Sequence, residues 1–146
     1  MSLFRRVASL AAMFALFITT TALAQPSADE WHGWIDAQTE TLFDDVVTWR
    51  RHFHANPELS NREFETAEYI AEFLRGLGME VQTGVAHTGV IGLLEGGRPG
   101  PVVGLRADMD GLPVTEQVDL PFASKVTTEY NGEEVGVMHA CGHDNH

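Results

Sequence analysis

Only one cysteine, Cys141, occurs in the 146 residues. A lone cysteine forms no intrachain disulfide, so an oxidising compartment would add no covalent staple, and the thiol asks for another use. Positive charge is scarce as well: nine Lys and Arg stand against 21 Asp and Glu, for a formal net charge of -12. That balance speaks against nucleic acid and anionic membrane surfaces as partners, because both are gripped by basic patches. No internal repeat or low-complexity tract is visible, and the length fits one domain. A bilayer-spanning run is also missing. The longest apolar stretch, residues 7–18, is interrupted by Ser9 and is too short to cross as a helix.

What the N-terminus does hold is an export pattern. Arg5 and Arg6 precede that apolar stretch, and Ala22-Leu23-Ala24 supplies the small-x-small sequence of a cleavage site. Residues 1–24 are expected to be a removable signal peptide, with Gln25 the mature N-terminus and a periplasmic or secreted product. A buried or membrane-anchoring helix is the alternative. Removing Arg5 and Arg6, with no acidic residue in that stretch, takes the formal charge from -12 to -14. No stable membrane anchor is expected after cleavage.

Over residues 25–146 the hydrophobic period predicts an α/β domain. Ile35, Leu42, Val46, Trp49 and Phe53 form one stripe of a long helix that Asn56-Pro57 stops. Ser60 and Glu63 have capping-box spacing at the start of a second helix, with Leu59 and Phe64 placed for a hydrophobic staple. Gly78 fits a left-handed residue just past its end. Residues 79–82, 89–95 and 102–107 are strand candidates. The Gly- and Pro-rich turn at 96–101 predicts that the last two pair as a hairpin. Val102-Val103-Gly104-Leu105 is apolar on both faces, as expected of a strand covered on both sides. Residues 111–137 have few regular signals and read as irregular, with room for one strand.

The chemistry concentrates at the end, in Met138-His139-Ala140-Cys141-Gly142-His143-Asp144-Asn145-His146. A thiolate and an imidazole two residues apart are good ligands for a borderline-soft divalent metal. Gly142 between them would let both face one ion. Asp144, His139 and His146 are then candidates for orienting or supporting groups. The alternative is a free cysteine beside surface histidines. Asp108 and Asp110, after the third strand candidate, either support a metal site at a strand's C-terminal end or serve locally, Asp108 pairing with Arg106 and Asp110 capping a turn. His52 and His54 suit the C-terminus of a helix, where cations meet the macrodipole, or else a substrate carboxylate. Glu116, Glu133 and Glu134 read as solvated.

Four segments in order resemble the N-terminal part of the M20 metallopeptidases, in the amidohydrolase branch of hippurate hydrolases and N-acyl-amino-acid hydrolases. Arg50-Arg51-His52-Phe53-His54 through Asn56-Pro57-Glu58-Leu59-Ser60 is similar to the R-x-x-H-x-x-P-E-L-S signature. Thr88-Gly89-Val90 with Gly96-Gly97 resembles the next block. Leu105-Arg106-Ala107-Asp108-Met109-Asp110-Gly111-Leu112-Pro113 resembles L-R-A-D-M-D-A-L-P, with Gly111 in place of the usual Ala. Residues 138–144 match M-H-A-C-G-H-D. The resemblance implies part of a layered catalytic domain with helices packed on a mixed sheet, and a smaller inserted domain, absent here, that often makes dimers. It implies two divalent ions (Zn, Mn, Co or Ni) with Cys141 and His143 as ligands and Asp110 in support. The further ligands and the general-base glutamate would lie outside this sequence. The implied reaction is metal-dependent hydrolysis of an N-acyl or N-aroyl amino acid or short peptide, by a protein that would be inactive as this segment alone. Two other readings stand beside it: a truncated, non-catalytic metal-binding remnant, and an exported thiol or redox protein using Cys141.

Overall fold

A computed structural model describes residues 26–146. The chain divides into two units, residues 1–37 and 38–146, with the boundary inside the first helix. The expected signal peptide lies outside the described residues. Among these residues no helix is long and apolar enough to cross a membrane.

Helix α1 spans Ala28–Ala55. Its start lies in the first unit and carries a capping box between Ser27 and Glu30. Glu30 N–H donates to Ser27 Oγ at 3.3 Å, and the Glu30 carboxylate accepts from Ser27 N–H at 2.7 Å. Trp31 and Trp34 meet edge to face in the same turn. The helix stops ahead of Asn56-Pro57, as the proline requires. Of its apolar stripe, Ile35, Leu42 and Val46 are exposed. Trp49 and Phe53 are half-buried against Phe73 and Tyr69.

Helix α2 spans Phe64–Gly76, and Gly78 has the expected left-handed φ of 81°. Its N-terminus differs from the expected capping box. Asn61 takes a left-handed φ of 61°, which keeps the chain out of helix between Ser60 and Glu63. Glu58 caps the helix instead: its carboxylate accepts from Thr66 N–H at 2.8 Å and Glu65 N–H at 3.2 Å. Glu63 turns away and accepts from the Thr88 hydroxyl at 2.7 Å. The staple is absent too, since Leu59 is buried while Phe64 is exposed and meets His87 edge to face.

Strands β1 (Glu80–Val85) and β2 (Gly89–Leu93) pair antiparallel, and α2 packs on both. The expected pairing of 89–95 with 102–107 does not form. Residues 101–110 have no regular structure, and Val102 and Leu105 are 92% and 96% exposed. A strand is held by its ladder, and among the described residues 102–107 has no strand beside it. The stretch read as irregular holds two strands, β3 (Thr127–Tyr130) and β4 (Glu133–Gly136), joined as a hairpin. Asn131 and Gly132 at its turn both have positive φ, 54° and 84°. That is the requirement of a type I′ turn, which Asn-Gly meets at little cost.

Two isolated bridges draw the distant motifs together. Leu59 pairs parallel with Gly111, and Leu112 pairs antiparallel with Met138. Gly111 N–H donates to Glu58 O at 2.6 Å, and Leu112 and Met138 exchange both backbone bonds. Pro57 and Val137 are fully buried at this junction. Three segments far apart in sequence, around 58, 111 and 138, thus become neighbours, and the α/β character holds with both parallel and antiparallel pairing.

Candidate metal-ligand pair and its supports

The junction of these segments carries the site. Past Met138 the chain makes a tight turn, with Gly142 N–H donating to His139 O at 3.1 Å. Gly142 itself has a left-handed φ of 81°, a conformation that favours glycine. A 3₁₀ turn over His143–Asn145 follows. Cys141, just before Gly142, is a free, exposed thiol.

His143 is held by Asp110. Its Nδ1 lies 2.8 Å from Asp110 Oδ1 and 3.1 Å from Asp110 O. Both partners are acceptors, so Nδ1 is the donor and, in the neutral ring, Nε2 keeps its lone pair. A carboxylate on one imidazole nitrogen, freeing the other, is how metal-ligating histidines are oriented. His146 stacks on His143 with ring centroids 5.3 Å apart.

His139 is 4% exposed. Neither of its ring nitrogens has a hydrogen-bond partner of good geometry, although the Asp110 backbone lies near enough to act on the ring. Burial holds its pKa below the ordinary 6.5, against the pull of the Asp144 carboxylate. A buried imidazole with no such partner fits a site meant to receive a further polar group. Asp110, His139 and His143 line one groove of about 1170 Å³, whose lining also includes the apolar side chains of Phe53, Ile70 and Phe73.

Asp108 takes the local role, paired with Arg106. Asp144 does not face the groove as a free carboxylate. Its side chain is buried, and Oδ2 accepts from Arg50 Nε at 3.1 Å and from His54 Nδ1 at 2.8 Å. His54 Nε2 lies 2.8 Å from Glu116 Oε2. Glu116 is therefore not solvated as its sequence context suggested; its side chain is 4% exposed. The His54 hydrogen bond is the largest of the effects that hold the Glu116 pKa below its usual 4.5. His54 is likewise a buried bridge and more than a cation at a helix end. Residues 54, 116 and 144 are too far apart in sequence for any local pattern to have linked them.

Among the described residues no three His, Cys, Asp or Glu side chains converge on one metal position. Cys141 and His143 fit a divalent ion by donor type and by the Asp110 support, and they make half of a tetrahedral set.

The profile of peptidase family M20/M25/M40 matches residues 104–146, which include Asp110, Cys141 and His143. Thermostable carboxypeptidase 2 of Saccharolobus solfataricus is 51% identical over 104 residues, 70% of this chain and 24% of that protein. The chain belongs to the M20 peptidase family. An N-acyl-L-amino acid amidohydrolase of Geobacillus stearothermophilus is 47% identical over 102 residues, 70% of this chain and 25% of that one. Among solved structures, the Bacillus subtilis YXEP protein, described as a dinuclear metal binding peptidase of the M20 family, superposes with a TM-score of 0.61 at 42% identity. That match covers 72% of this M20 chain and 28% of the other. The chain spans about a quarter of the length of the curated relatives it matches.

Proposed function

We propose that this M20 chain contributes Cys141 and His143 to a paired divalent-metal centre in an exported amidohydrolase. Its substrates would be N-acyl or N-aroyl amino acids, or short peptides, carrying a free carboxylate. The observation that carries the reading is Asp110 on Nδ1 of His143, which leaves Nε2 as a ligand atom two residues along the chain from the Cys141 thiol. When bound, the ions supply Lewis acidity toward the scissile carbonyl and the attacking water.

The chain's own residues perform the preparation. Asp110 fixes the tautomer of His143. Gly142 supplies the reversal between the two ligands. The apolar side chains of Phe53, Ile70 and Phe73 in the groove lining suit the acyl or aroyl part of such a substrate. The relatives named as amidohydrolase and carboxypeptidase support hydrolysis at an amide next to a free carboxylate. Zinc, cobalt and nickel suit a thiolate and imidazole pair, whereas manganese would draw more on oxygen ligands.

The test is to express the complete reading frame containing this chain and to assay N-benzoylglycine and a panel of acyl amino acids with each metal. Metal-dependent release is expected. No release on any member of the panel would overturn the reading. Asp110→Ala is expected to weaken metal binding about tenfold to a hundredfold, as loss of such supporting contacts does. Asp110→Asn should fall between, because a neutral acceptor bonds about half as strongly as a carboxylate.

A further inference from the structure

His54 sits on the last turn of α1, yet it is tied to two carboxylates from elsewhere in the chain. Nδ1 lies 2.8 Å from Asp144 Oδ2 and Nε2 lies 2.8 Å from Glu116 Oε2. Phe122 meets the ring edge to face at 5.7 Å and lies under Arg50 and Arg51. Rotating the imidazole would break both bonds. The two carboxylates differ in what they are attached to. Asp144 belongs to the 3₁₀ turn that begins at His143, and it is adjacent to that residue in sequence. Its Oδ2 takes Arg50 as well as His54, and Asn145 Nδ2 donates to its Oδ1 at 3.3 Å. Glu116 belongs to the segment before β3 and anchors the far side of the ring.

From this asymmetry we propose that His54 is a positioning residue for the metal ligands: through Nδ1 it holds Asp144, and with it the turn carrying Cys141 and His143, in register with α1. The proposal rests on the reading of Cys141 and His143 as ligands. Asp110 orients the His143 ring, and the Arg50–His54–Asp144 clamp fixes the backbone on which that ring and the thiol are mounted. A buried ionic cluster kept only for the fold would depend on His54 through both of its bonds. A positioning clamp depends on the Asp144 bond.

The two bonds can be separated, because an asparagine amide stands near the place of Nδ1 and a glutamine amide near that of Nε2. His54→Asn keeps a donor for Asp144, whereas His54→Gln keeps one for Glu116 and releases Asp144. Two properties of the full chain are measured. The first is the backbone order parameter of residues 141–145 in metal-free protein, from ¹⁵N relaxation. The second is cobalt(II) affinity, read from thiolate-to-cobalt absorption.

His54→Gln is expected to drop the order parameters from about 0.85 to below about 0.6. It should also weaken cobalt binding about tenfold to a hundredfold, while His54→Asn stays within about threefold of wild type. Equal losses in both variants, or none in His54→Gln, would overturn the proposal. If His54→Gln does not fold, Asp144→Ala removes the acceptor of the same bond from the other side and is read in the same way. Wild-type protein that binds no cobalt would overturn the ligand reading, and this proposal with it. Normal wild-type cobalt binding with an unmoved His54→Gln overturns the proposal alone.

Discussion

Replacing Glu58 by alanine removes the acceptor for two backbone N–H groups at the start of α2, and the cost can be worked out from their surroundings. Thr66 is buried, so its N–H, now 2.8 Å from Glu58 Oε2, would be left without water or partner at about 1–3 kcal/mol. Glu65 is exposed, and water takes over its bond at almost no net cost. Loss of a negative charge at the helix N-terminus adds about 0.3–1 kcal/mol. Glu58→Ala should therefore lose about 1–4 kcal/mol in all. Glu58→Gln keeps one acceptor oxygen and should lose about 1 kcal/mol. Urea unfolding followed by circular dichroism reads these values, provided the denaturant slope is unchanged. Ser60→Ala is the internal control. With no capping box at Ser60 it should cost nothing, whereas a true cap there would cost about 1 kcal/mol. Glu58→Ala within about 0.5 kcal/mol of wild type, or a Ser60→Ala loss as large as that of Glu58→Ala, would refute the assignment.

Two further outcomes follow from local geometry. A Cβ on Gly136 would lie 2.7 Å from Thr115 Cα and 2.8 Å from its Oγ1, so Gly136→Ala should cost about 1–3 kcal/mol in the same unfolding assay. Gly97→Ala, with nothing within 4 Å, should be neutral within about 0.5 kcal/mol. Glu116 faces His54, with Asp144 and Arg50 beyond it, and its folded pKa lies below the ordinary 4.5. A depressed carboxylate stabilises the fold fully above its unfolded pKa and loses that contribution as pH falls through the folded value. Glu116→Gln should therefore be less stable than wild type at neutral pH. The gap should close as pH falls below 4.5, and a gap that is constant across this window would count against the His54 contact.

The parts of the fold that could be read in the sequence are those set by neighbours along the chain. Asn56-Pro57 ends α1, Gly78 follows α2, and the period of 79–95 marks two strands, because each depends on residues a few positions apart. The Ser60 box failed for a reason that lies between its ends: Asn61 adopts a left-handed conformation, and Glu58, two residues before the expected cap, reaches the free N–H groups instead. The Asn131-Gly132 turn was readable by the same local chemistry and was passed over. The apolar run at 102–105 gives a strand's composition, yet a strand also needs a partner, and none of the described residues provides it. At the site, Cys141, His143 and Asp110 stood out by residue type and by resemblance. The linkage of His54 to Asp144 and Glu116 did not, since those bonds span 90 and 62 residues and leave no periodic trace.

The central claim is that Cys141 and His143 bind one divalent ion together. Cys141 is exposed, so its alkylation by iodoacetamide can be followed by the mass of the peptide that carries it. Saturating zinc is expected to slow that alkylation in wild-type protein, and His143→Ala should abolish the protection. An alkylation rate that is the same with and without zinc would contradict the claim and leave Cys141 a free thiol.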